Sequence, residues 1–260
     1  PIVDIPSIHY IVEECVESGI TDICIILGRN KNSIADYFDR NVEVEAALAK
    51  AGMYDTIKKM NEFSSKARII YVRQREMNGT GGAIALCEDF VNDQPFAVLF
   101  GDDVMYSPNN PVTKQLMNAF ETTGSCIIGV QELPPELATK CGVIVPGKVK
   151  GKYTEILGFS EKPPIDKLPS RLASLGRYVL TPAIFDYIRN TPPVKNGEIY
   201  LPTAIEALSK EQGAFAYTFD GIRYDIGDKV GYLKANVEFA LRNPSISAEF
   251  KAYLDTIIKN

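Results

Sequence analysis

The sequence predicts an α/β protein with a mixed, mostly parallel sheet and helices on both faces. Over the first half of the chain, short β-rich apolar runs alternate with charged, helix-prone segments. This alternation is typical of strand–helix–strand units, in which successive strands lie parallel and helices cover the sheet. After Ser125 the apolar runs follow one another closely and are separated by Pro and Gly, which indicates antiparallel strands extending the same sheet.

The first half of the chain predicts its elements in a clear order. Residues 8–16 carry apolar side chains at helical spacing and Gly19 stops the pattern, so a helix comes first. The run TDICIIL then has the composition of a buried parallel strand. The elements expected after it are a helical region at residues 31–63, a strand at 67–72, a helix at 79–86 and a strand at 96–100.

The second half is predicted from shorter patterns. SCIIGVQEL, CGVIV, YTEILGF and SLGRYVL each predict a strand, and residues 229–241 and 246–258 return to helical spacing. The sequence has no internal repeat, no low-complexity tract and no linker-like stretch. We therefore expect residues 1–260 to form one domain.

Composition excludes several classes of function. The formal net charge of -5 argues against a nucleic-acid scaffold, and no apolar run reaches the length of a membrane span. We therefore expect neither nucleic acid nor a membrane as a partner. The five cysteines form no CxxC pair, which favours free, mostly buried thiols and a reducing cytoplasm. His9 is the only histidine, so a zinc site built from several histidines is excluded.

Residues of functional type follow several of the apolar runs. In open α/β sheets, ligands bind beyond the carboxyl ends of the strands. The sequence therefore predicts a ligand site at that edge of the sheet. The residues expected there are Gly28-Arg29, Gln74, Gly101-Asp102-Asp103, Glu161-Lys162 and Tyr224-Asp225.

Two adjacent carboxylates, Asp102 and Asp103, follow the strand expected at residues 96–100. Like charges repel where solvent is partly excluded, and a divalent cation removes that cost. Mg²⁺ favours carboxylate oxygens when substrate phosphates complete its coordination shell. Asp225 supplies a further carboxylate from a distant segment, and the two segments could clamp one ion. Gly-Asp-Asp is also good turn chemistry, and whether Asp102 or Asp103 would bind the metal stays open.

A glycine-rich stretch, YVRQREMNGTGGAIALC, joins a predicted strand to a predicted helix. Gly79, Gly81 and Gly82 would let a ligand lie against the backbone, and a helix N-terminus favours anions. The stretch matches neither a Walker A loop nor GxGxxG, so a plain flexible loop is the alternative. Gln74 adds an amide that can donate and accept toward the edge of a base.

Two further segments carry candidate polar contacts. In GFSEKPP, Glu161 can accept from sugar hydroxyls and Lys162 offers a compact cation for a phosphate. An exposed acid–base pair of this kind is more often only a solvated pair. Glu198, in NGEI, precedes an apolar stretch, which also fits an ordinary helix entrance.

Eight motifs occur in the order found in bacterial UTP–glucose-1-phosphate uridylyltransferases, and the chain resembles that family over nearly its whole length. The motifs are PIVDIP with IVEE, GRNKNSIADYFD, VRQ with Gly79-Thr80-Gly81, FAVLFGDD, SEKP, GRYVLTP, NGEI and FDGIRYDIGD. The resemblance implies a Rossmann-like nucleotide-diphospho-sugar transferase fold and a homodimer or homotetramer. It divides the domain into a nucleotide-binding part (1–124), a sugar-binding part (125–228) and C-terminal helices (229–260).

The resemblance also implies an activity, which is Mg²⁺-dependent transfer of a uridylyl group from UTP to glucose 1-phosphate by in-line displacement. Asp102 and Asp225 would hold the metal, and Lys162 would meet the phosphate of glucose 1-phosphate. The residues that would contact the nucleotide are Gln74, Gly79, Gly101 and Asp102. Those that would contact the sugar are Gly142, Glu161, Lys162, Gly176 and Glu198.

The chain departs from the family pattern at several positions. Gly82 stands where the family usually has His, Ser160 stands where Val is common, and Tyr200-Leu201-Pro202-Thr203 replaces the usual QLTD. The family's GxGTR phosphate loop, the lysine after it and the first central strand lie upstream of the PIVD phrase and are not in this sequence.

Two other functions stay open on the residues alone. The first is the same chemistry with another nucleotide or sugar, such as thymidylyl transfer. The second is a non-catalytic paralogue that binds a sugar nucleotide and releases no pyrophosphate. Retention of Asp102 and Asp225 argues against the second function.

Overall fold

The computed structural model describes residues 1–194 and 196–258 of the chain. Its helices are α1 (Ser7–Glu17), α2 (Asn32–Phe38), α3 (Val42–Lys50), α4 (Tyr54–Met60), α5 (Glu62–Lys66), α6 (Gly79–Ala85), α7 (Glu88–Val91), α8 (Val112–Thr123), α9 (Pro135–Ala138), α10 (Ile184–Asn190), α11 (Leu201–Gln212), α12 (Lys229–Arg242) and α13 (Ser247–Ile258). Its strands are β1 (Asp22–Leu27), β2 (Arg68–Arg73), β3 (Phe96–Leu99), β4 (Asp103–Tyr106), β5 (Cys126–Glu132), β6 (Gly142–Lys150), β7 (Tyr153–Glu161), β8 (Leu172–Leu180), β9 (Ala214–Thr218) and β10 (Ile222–Asp225). Every helix and strand predicted from apolar spacing is present, with ends within a few residues of those expected.

The central sheet has the strand order β3-β8-β5-β9-β7-β6. A parallel pair, β1–β2, and an antiparallel ribbon, β4–β10, stand beside it. The α/β class and the mixed sheet are confirmed. Among the described strands, however, antiparallel pairs outnumber parallel ones, so the expected predominance of parallel pairing is wrong. Strand β8 lies antiparallel between β3 and β5, and only residues 151–152 join β6 to β7, a connection short enough for an antiparallel pair alone.

Helices cover both faces of the central sheet, as the sequence predicts. Successive residues of a strand point to opposite faces, so Ile127 and Ile128 of β5 enter different parts of the core. Ile127 packs in a cluster with Leu116 of α8. Ile128 packs in a cluster with Ile188 of α10 and Ile205 of α11. Both isoleucines are fully buried, and the sheet is therefore the middle layer of three.

An apolar groove with a volume of about 780 Å³ lies between β1 and β3. Both strands line it, and in the described part of the chain each has a hydrogen-bonded partner on one side only. A strand entering the groove would find unpaired backbone groups on both sides. The first central strand expected upstream of Pro1 stays a prediction. Gly101, which begins the turn that carries Asp102 and Asp103, also lines the groove.

A buried ion pair joins the first helix to the sheet. Arg177 of β8 and Glu14 of α1 are 1% and 7% exposed, and Nη2 of Arg177 lies 2.7 Å from Oε2 of Glu14. Oε1 of Glu14 also accepts hydrogen bonds from the backbone N and the hydroxyl of Thr113. Arg177 donates further to the carbonyl oxygen of Asp103, at 2.8 Å. One pair of charges thus ties α1, α8, β8 and the turn after β3 together.

The C-terminal helices pack on the ribbon side of the molecule. Helix α12 begins at Lys229 and is capped by Asp228, whose carboxylate accepts from the backbone N of Val230 and Gly231. It packs on β10, and α13 packs on α12. The last two residues of the predicted range 229–260 lie outside the described residues. Within the described ranges, no helix has the length and apolar character that crossing a membrane requires.

The ion pair makes a stability prediction. Glu14→Ala leaves the Arg177 charge buried without its partner, which should lower the free energy of unfolding by about 3–5 kcal/mol. Chemical denaturation monitored by circular dichroism measures this value. The control is Glu17→Ala on the same helix, whose exposed side chain should change stability by about 0.5 kcal/mol or less. Equal effects of the two substitutions would contradict the structural role of the pair.

Candidate active site

The turn after β3 and the end of β10 come together at one edge of the sheet. Strand β10 pairs antiparallel with β4, so that Asp225 lies opposite Asp103. The backbone N of Ile226 donates to the carbonyl oxygen of Asp102 at 2.9 Å, which extends the ribbon by one residue. A Cβ added to Gly227 would lie 3.5 Å from Oδ2 of Asp102 and 3.3 Å from Oδ1 of Asp225. The two carboxylates expected to share a metal ion therefore converge.

Asp103 differs from its neighbour in burial and in partners. Its side chain is almost fully buried, and its Oδ1 accepts from Nε of Arg223 at 2.5 Å. Arg223 also donates to Oδ2 of Asp225 at 3.1 Å. Burial raises the pKa of the Asp103 carboxyl, and the Arg223 guanidinium opposes that shift. Asp102 is exposed and forms no such pair in the described residues, so its carboxylate, unlike that of Asp103, is accessible.

Gly176 lies directly against the carboxylate turn. It has φ +68, and a Cβ added to it would lie 2.2 Å from Oδ2 of Asp103. Its carbonyl oxygen accepts from the backbone N of Phe100 at 2.9 Å. The absence of a side chain at this position lets β8 approach the turn. Gly176 was expected to line the sugar pocket, and its geometry already gives it a packing role.

The pair Glu161 and Lys162 ends β7, where Gly142 of β6 is the register partner of Glu161. A Cβ added to Gly142 would lie 2.9 Å from Oε2 of Glu161, so the two residues touch. Burial raises the pKa of Glu161, and Lys162 opposes the shift. Lys162 has a left-handed backbone, with φ +46, and its backbone N donates to Cys141. Its side chain is 67% exposed, and the ammonium group lies 4.0 Å from Glu161.

The glycine-rich loop is bound to the segment that carries Glu198. The backbone N of Ile199 donates to Asn78 and the backbone N of Gly81 donates back to Ile199, both at 2.8 Å. A Cβ added to Gly79 would lie 3.0 Å from Cβ of Glu198, so these two residues are neighbours. Helix α6 begins at Gly79, as the sequence predicts. The structure thus brings the expected nucleotide contact Gly79 beside the expected sugar contact Glu198.

Gln74 lies between β1 and the glycine-rich loop. Its backbone N donates to Leu27, the last residue of β1, at 3.0 Å. Its side-chain Nε2 donates to Oδ1 of Asn78 at 3.2 Å. Gly101 lies on the rim of the groove, and a Cβ there would meet no atom within 4 Å. Packing therefore does not explain Gly101, and its expected contact with the nucleotide stays a prediction.

Electrostatic contacts connect the parts of the site. Burial raises the pKa of the Cys141 thiol, and the charges of Arg223, Asp103, Asp225 and Glu161 all act on it. A hydrogen bond to Glu198 raises the pKa of Tyr200, and the charge of Glu161 adds to that shift. Cys141 therefore lies near Asp225 and Glu161, and the segment of Glu198 lies near Glu161. These residues meet at the edge of the sheet where the sequence predicts a ligand site.

Three polar residues near this region were missed by the sequence analysis. They are Arg223, Arg177 and Asn78. Arg223 stands two residues before Asp225 on the same strand, so both side chains point to one face, and that spacing was available in the sequence. Arg177 gives no such signal, because a single arginine in an apolar strand shows its partner Glu14 only after folding. Asn78 is hidden within a loop of polar residues.

In open α/β sheets, ligands bind at the edge where these carboxylates and the glycine-led helix meet. A family model described as "Nucleotidyl transferase" matches residues 1–241. The chain belongs to the nucleotidyl transferase family.

Relatives of the chain within that family carry names that specify one reaction. The chain is 44% identical to a UTP--glucose-1-phosphate uridylyltransferase of Staphylococcus epidermidis over 254 residues, which cover 98% of this chain and 88% of the relative. It is 43% identical to the UTP--glucose-1-phosphate uridylyltransferase 2 of Staphylococcus saprophyticus, and the match covers 100% of this chain and 90% of the relative. The predicted resemblance is confirmed.

Solved structures similar to this chain support the family assignment. One is a UDP-glucose pyrophosphorylase complexed with UDP-glucose, with a TM-score of 0.84, 37% identity, and 94% of this chain and 89% of that chain covered. Another is the UTP-bound UGPase from Acinetobacter baumannii, with a TM-score of 0.89 and 32% identity. The match covers 97% of this chain and 88% of that chain. The similarity to these solved structures also confirms the predicted fold.

The contact between Gly176 and Asp103 makes a second prediction. Gly176→Ala adds a Cβ at a positive φ and drives it into a carboxylate that is buried and paired. The loss of unfolding free energy should exceed that of Gly151→Ala by about 1–3 kcal/mol. Gly151 has a similar φ of +61 and open space around it, so it controls for the backbone cost of roughly 1–2 kcal/mol. Equal losses in thermal or chemical denaturation would refute the packing role of Gly176.

Proposed function

We propose that the protein transfers the uridylyl group of UTP to glucose 1-phosphate, which forms UDP-glucose and releases pyrophosphate. The observation that carries this proposal is the convergence of Asp102 and Asp225 from remote segments at the ligand-binding edge of the sheet. Family membership and relatives named UTP--glucose-1-phosphate uridylyltransferase support the reaction. The neighbour complexed with UDP-glucose supports the product.

The donor set of this site fits Mg²⁺. Asp102 and Asp225 offer hard oxygen ligands, and Asp103 and Arg223 hold the turn and strand beneath them. The described residues contain no group of three or more metal-binding side chains. Two carboxylates are the number from which Mg²⁺ bound to substrate phosphates commonly takes its protein ligands. When bound, Mg²⁺ would neutralise charge on the nucleotide phosphates.

The nucleophile in this reaction needs no general base. The phosphate oxygen of glucose 1-phosphate is already an anion, so the protein must align it with the α-phosphorus of UTP and balance crowded negative charge. Lys162 suits that task, because its ammonium group is exposed and its backbone is fixed by the hydrogen bond to Cys141. We assign Lys162, Asp102 and Asp225 as the catalytic residues.

The remaining polar residues are assigned to binding. Glu161 and Glu198 would accept from the sugar hydroxyls, and Gly142 and Gly176 would line the space beside them. Gln74 would pair with uracil: its Nε2 is anchored on Asn78, which leaves its Oε1 to accept from the N3–H of the base. Gly79 and Gly101 would contact the nucleotide through their backbones.

The domain parts and the assembly follow from the same proposal. Residues 1–124 would bind the nucleotide, residues 125–228 the sugar, and residues 229–260 would form the C-terminal helices. Several large apolar side chains on α12 and α13 are exposed, and such patches mark interfaces. We propose that they contribute to a homodimer or homotetramer in the cytoplasm. They are Val230, Leu233, Leu241, Tyr253 and Ile257.

A substrate panel tests the reaction. Full-length protein with Mg²⁺ and glucose 1-phosphate should release pyrophosphate from UTP and form UDP-glucose, with kcat/KM for dTTP and CTP at least about tenfold lower. Coupled pyrophosphate detection and chromatography of the sugar nucleotide measure both products. A preference for dTTP would replace the proposal with thymidylyl transfer. UDP-glucose binding without pyrophosphate release would indicate a non-catalytic paralogue.

Substitution of the carboxylates tests the metal assignment. Asp102→Asn and Asp225→Asn should each lower kcat by about 100-fold or more, since each removes a metal ligand. Each should also weaken Mn²⁺ binding measured by electron paramagnetic resonance without substrates. Asp103→Asn should reduce thermal stability and keep Mn²⁺ binding. Exposed Asp166→Asn is the matched control and should change neither quantity. Unchanged Mn²⁺ binding in both the Asp102 and Asp225 variants would reject the assignment.

A further inference from the structure

Arg223 joins a buried carboxylate to one of the two expected metal ligands. It lies on β10 two residues before Asp225, so both side chains point to the same face of the ribbon. Its Nε donates to Oδ1 of Asp103 at 2.5 Å, and its Nη2 donates to Oδ2 of Asp225 at 3.1 Å. One guanidinium group therefore contacts both carboxylates at the same time.

Asp103 gives this guanidinium a fixed anchor. The side chain of Asp103 is almost fully buried, and its carbonyl oxygen accepts from Nη2 of Arg177 at 2.8 Å. A Cβ added to Gly176 would lie 2.2 Å from Oδ2 of Asp103, so β8 closely packs against this carboxylate. Arg223 is itself mostly buried. Asp103 therefore holds one nitrogen of Arg223 in place, and another nitrogen is left to bind Asp225.

The carboxylate of Asp225 has donors on both of its oxygens. Oδ1 accepts from the backbone N of Gly227 at 3.1 Å and from that of Asp228 at 3.2 Å, and Oδ2 accepts from Arg223. A carboxylate offers about four lone-pair positions, so these three donors of the described structure leave one for a cation. A Cβ added to Gly227 would lie 3.3 Å from Oδ1 of Asp225 and 3.5 Å from Oδ2 of Asp102. The Asp225 carboxylate is thus held in one direction, close to that of Asp102.

Charge compensation alone is the simpler explanation for Arg223. Asp103 and Asp225 lie directly opposite each other on β4 and β10, where like charges are destabilising. Any cation between them would relieve that repulsion. A planar guanidinium does more, because its separate nitrogens bind the two carboxylates in fixed directions. This geometry favours orientation of Asp225 as well as neutralisation.

We propose that Arg223 is a positioning residue of the metal site, which sets the direction of the Asp225 carboxylate toward the cation. This role rests on the proposed function, in which Asp225 is a ligand of Mg²⁺. Arg223 acts through Asp225, so its loss should appear first as weaker metal binding. Removal of a group that hydrogen-bonds to a metal ligand commonly costs about 10- to 100-fold in metal affinity or activity.

A double variant with balanced charge tests this role. Arg223→Met together with Asp103→Asn removes one positive and one negative charge, so the net charge beside the metal site is unchanged. The dissociation constant for Mn²⁺, measured by electron paramagnetic resonance without substrates, should rise about 10-fold or more. Thermal melting checks that the double variant is folded. An unchanged dissociation constant in the folded double variant would overturn the positioning role and leave Arg223 with charge compensation alone.

The single variant Asp103→Asn separates orientation from charge. It keeps the contact between Arg223 and Asp225, and it has one more positive charge near the cation than the double variant. Charge alone therefore predicts tighter Mn²⁺ binding in the double variant than in the single variant. Orientation by Arg223 predicts the reverse order, which is the result we expect. Tighter binding by the double variant would refute the proposal.

Arg223→Lys is the conservative variant. It keeps the charge but offers one ammonium group in place of a fork, so its Mn²⁺ affinity should lie between those of the wild type and the double variant. In transfer assays of both variants, the Mg²⁺ concentration for half-maximal activity should rise, and saturating Mg²⁺ should restore most of kcat. Arg171→Met is the matched control, since Arg171 forms an exposed ion pair with Glu132 at 2.8 Å and should change neither metal constant.

The Mn²⁺ measurements are independent of the proposed reaction. A wild-type protein that binds Mn²⁺ through Arg223 as described but forms no UDP-glucose would reject the reaction and keep the role of Arg223. Formation of UDP-glucose together with wild-type Mn²⁺ affinity in the double variant would keep the reaction and reject the role.

Discussion

The ion pair between Arg177 and Glu14 is the interaction on which the site depends. Both groups are buried, and charges buried without partners are costly, so their positions are coupled. Arg177 extends the constraint to the carbonyl oxygen of Asp103, and Glu14 extends it to Thr113. The turn that presents Asp102 is therefore held in place by contacts with α1, α8 and β8. Because β10 pairs with β4, directly after that turn, Asp225 is fixed with it. A site for in-line transfer needs such fixed ligands, since its rate depends on alignment.

The charges of the site divide into a buried set and an exposed set. Arg223 neutralises Asp103 in the buried set and touches Asp225 from beneath. Asp102 keeps an exposed carboxylate, and Asp225 keeps 41% of its side chain exposed. The exposed carboxylates of Asp102 and Asp225 therefore favour a cation, while Lys162 places an exposed positive charge after the end of β7. This division also explains how two adjacent aspartates coexist at a strand end. Only one of them faces the ligand side, and the other belongs to the core.

The sequence predicts the elements of this fold much better than their pairing. Runs such as TDICIIL and FAVLF are long and apolar enough to specify buried strands by themselves. The position of β8 between β3 and β5 depends on contacts between distant segments, which local patterns do not encode. The ribbon β4–β10 was missed because its strands are short and carry charged residues. The convergence of Asp102 and Asp225 was predicted because acidic residues at strand ends are costly without a ligand. Arg177 was missed because its partner lies 163 residues away in the chain.

One departure from the family pattern acquires a physical explanation in this structure. The resemblance leads one to expect a histidine where this chain has Gly82. A Cβ at that position would lie 2.2 Å from Cγ of Asn78, so the space of the missing side chain is already taken. Asn78 in turn accepts from Gln74 and binds the segment of Ile199 through its carbonyl oxygen. Gly82 and Asn78 are thus coupled, because the side chain of Asn78 fills the space that a side chain at position 82 would need. This coupling keeps Gln74 and the start of α6 in place, so the departure changes how the glycine-rich loop is supported.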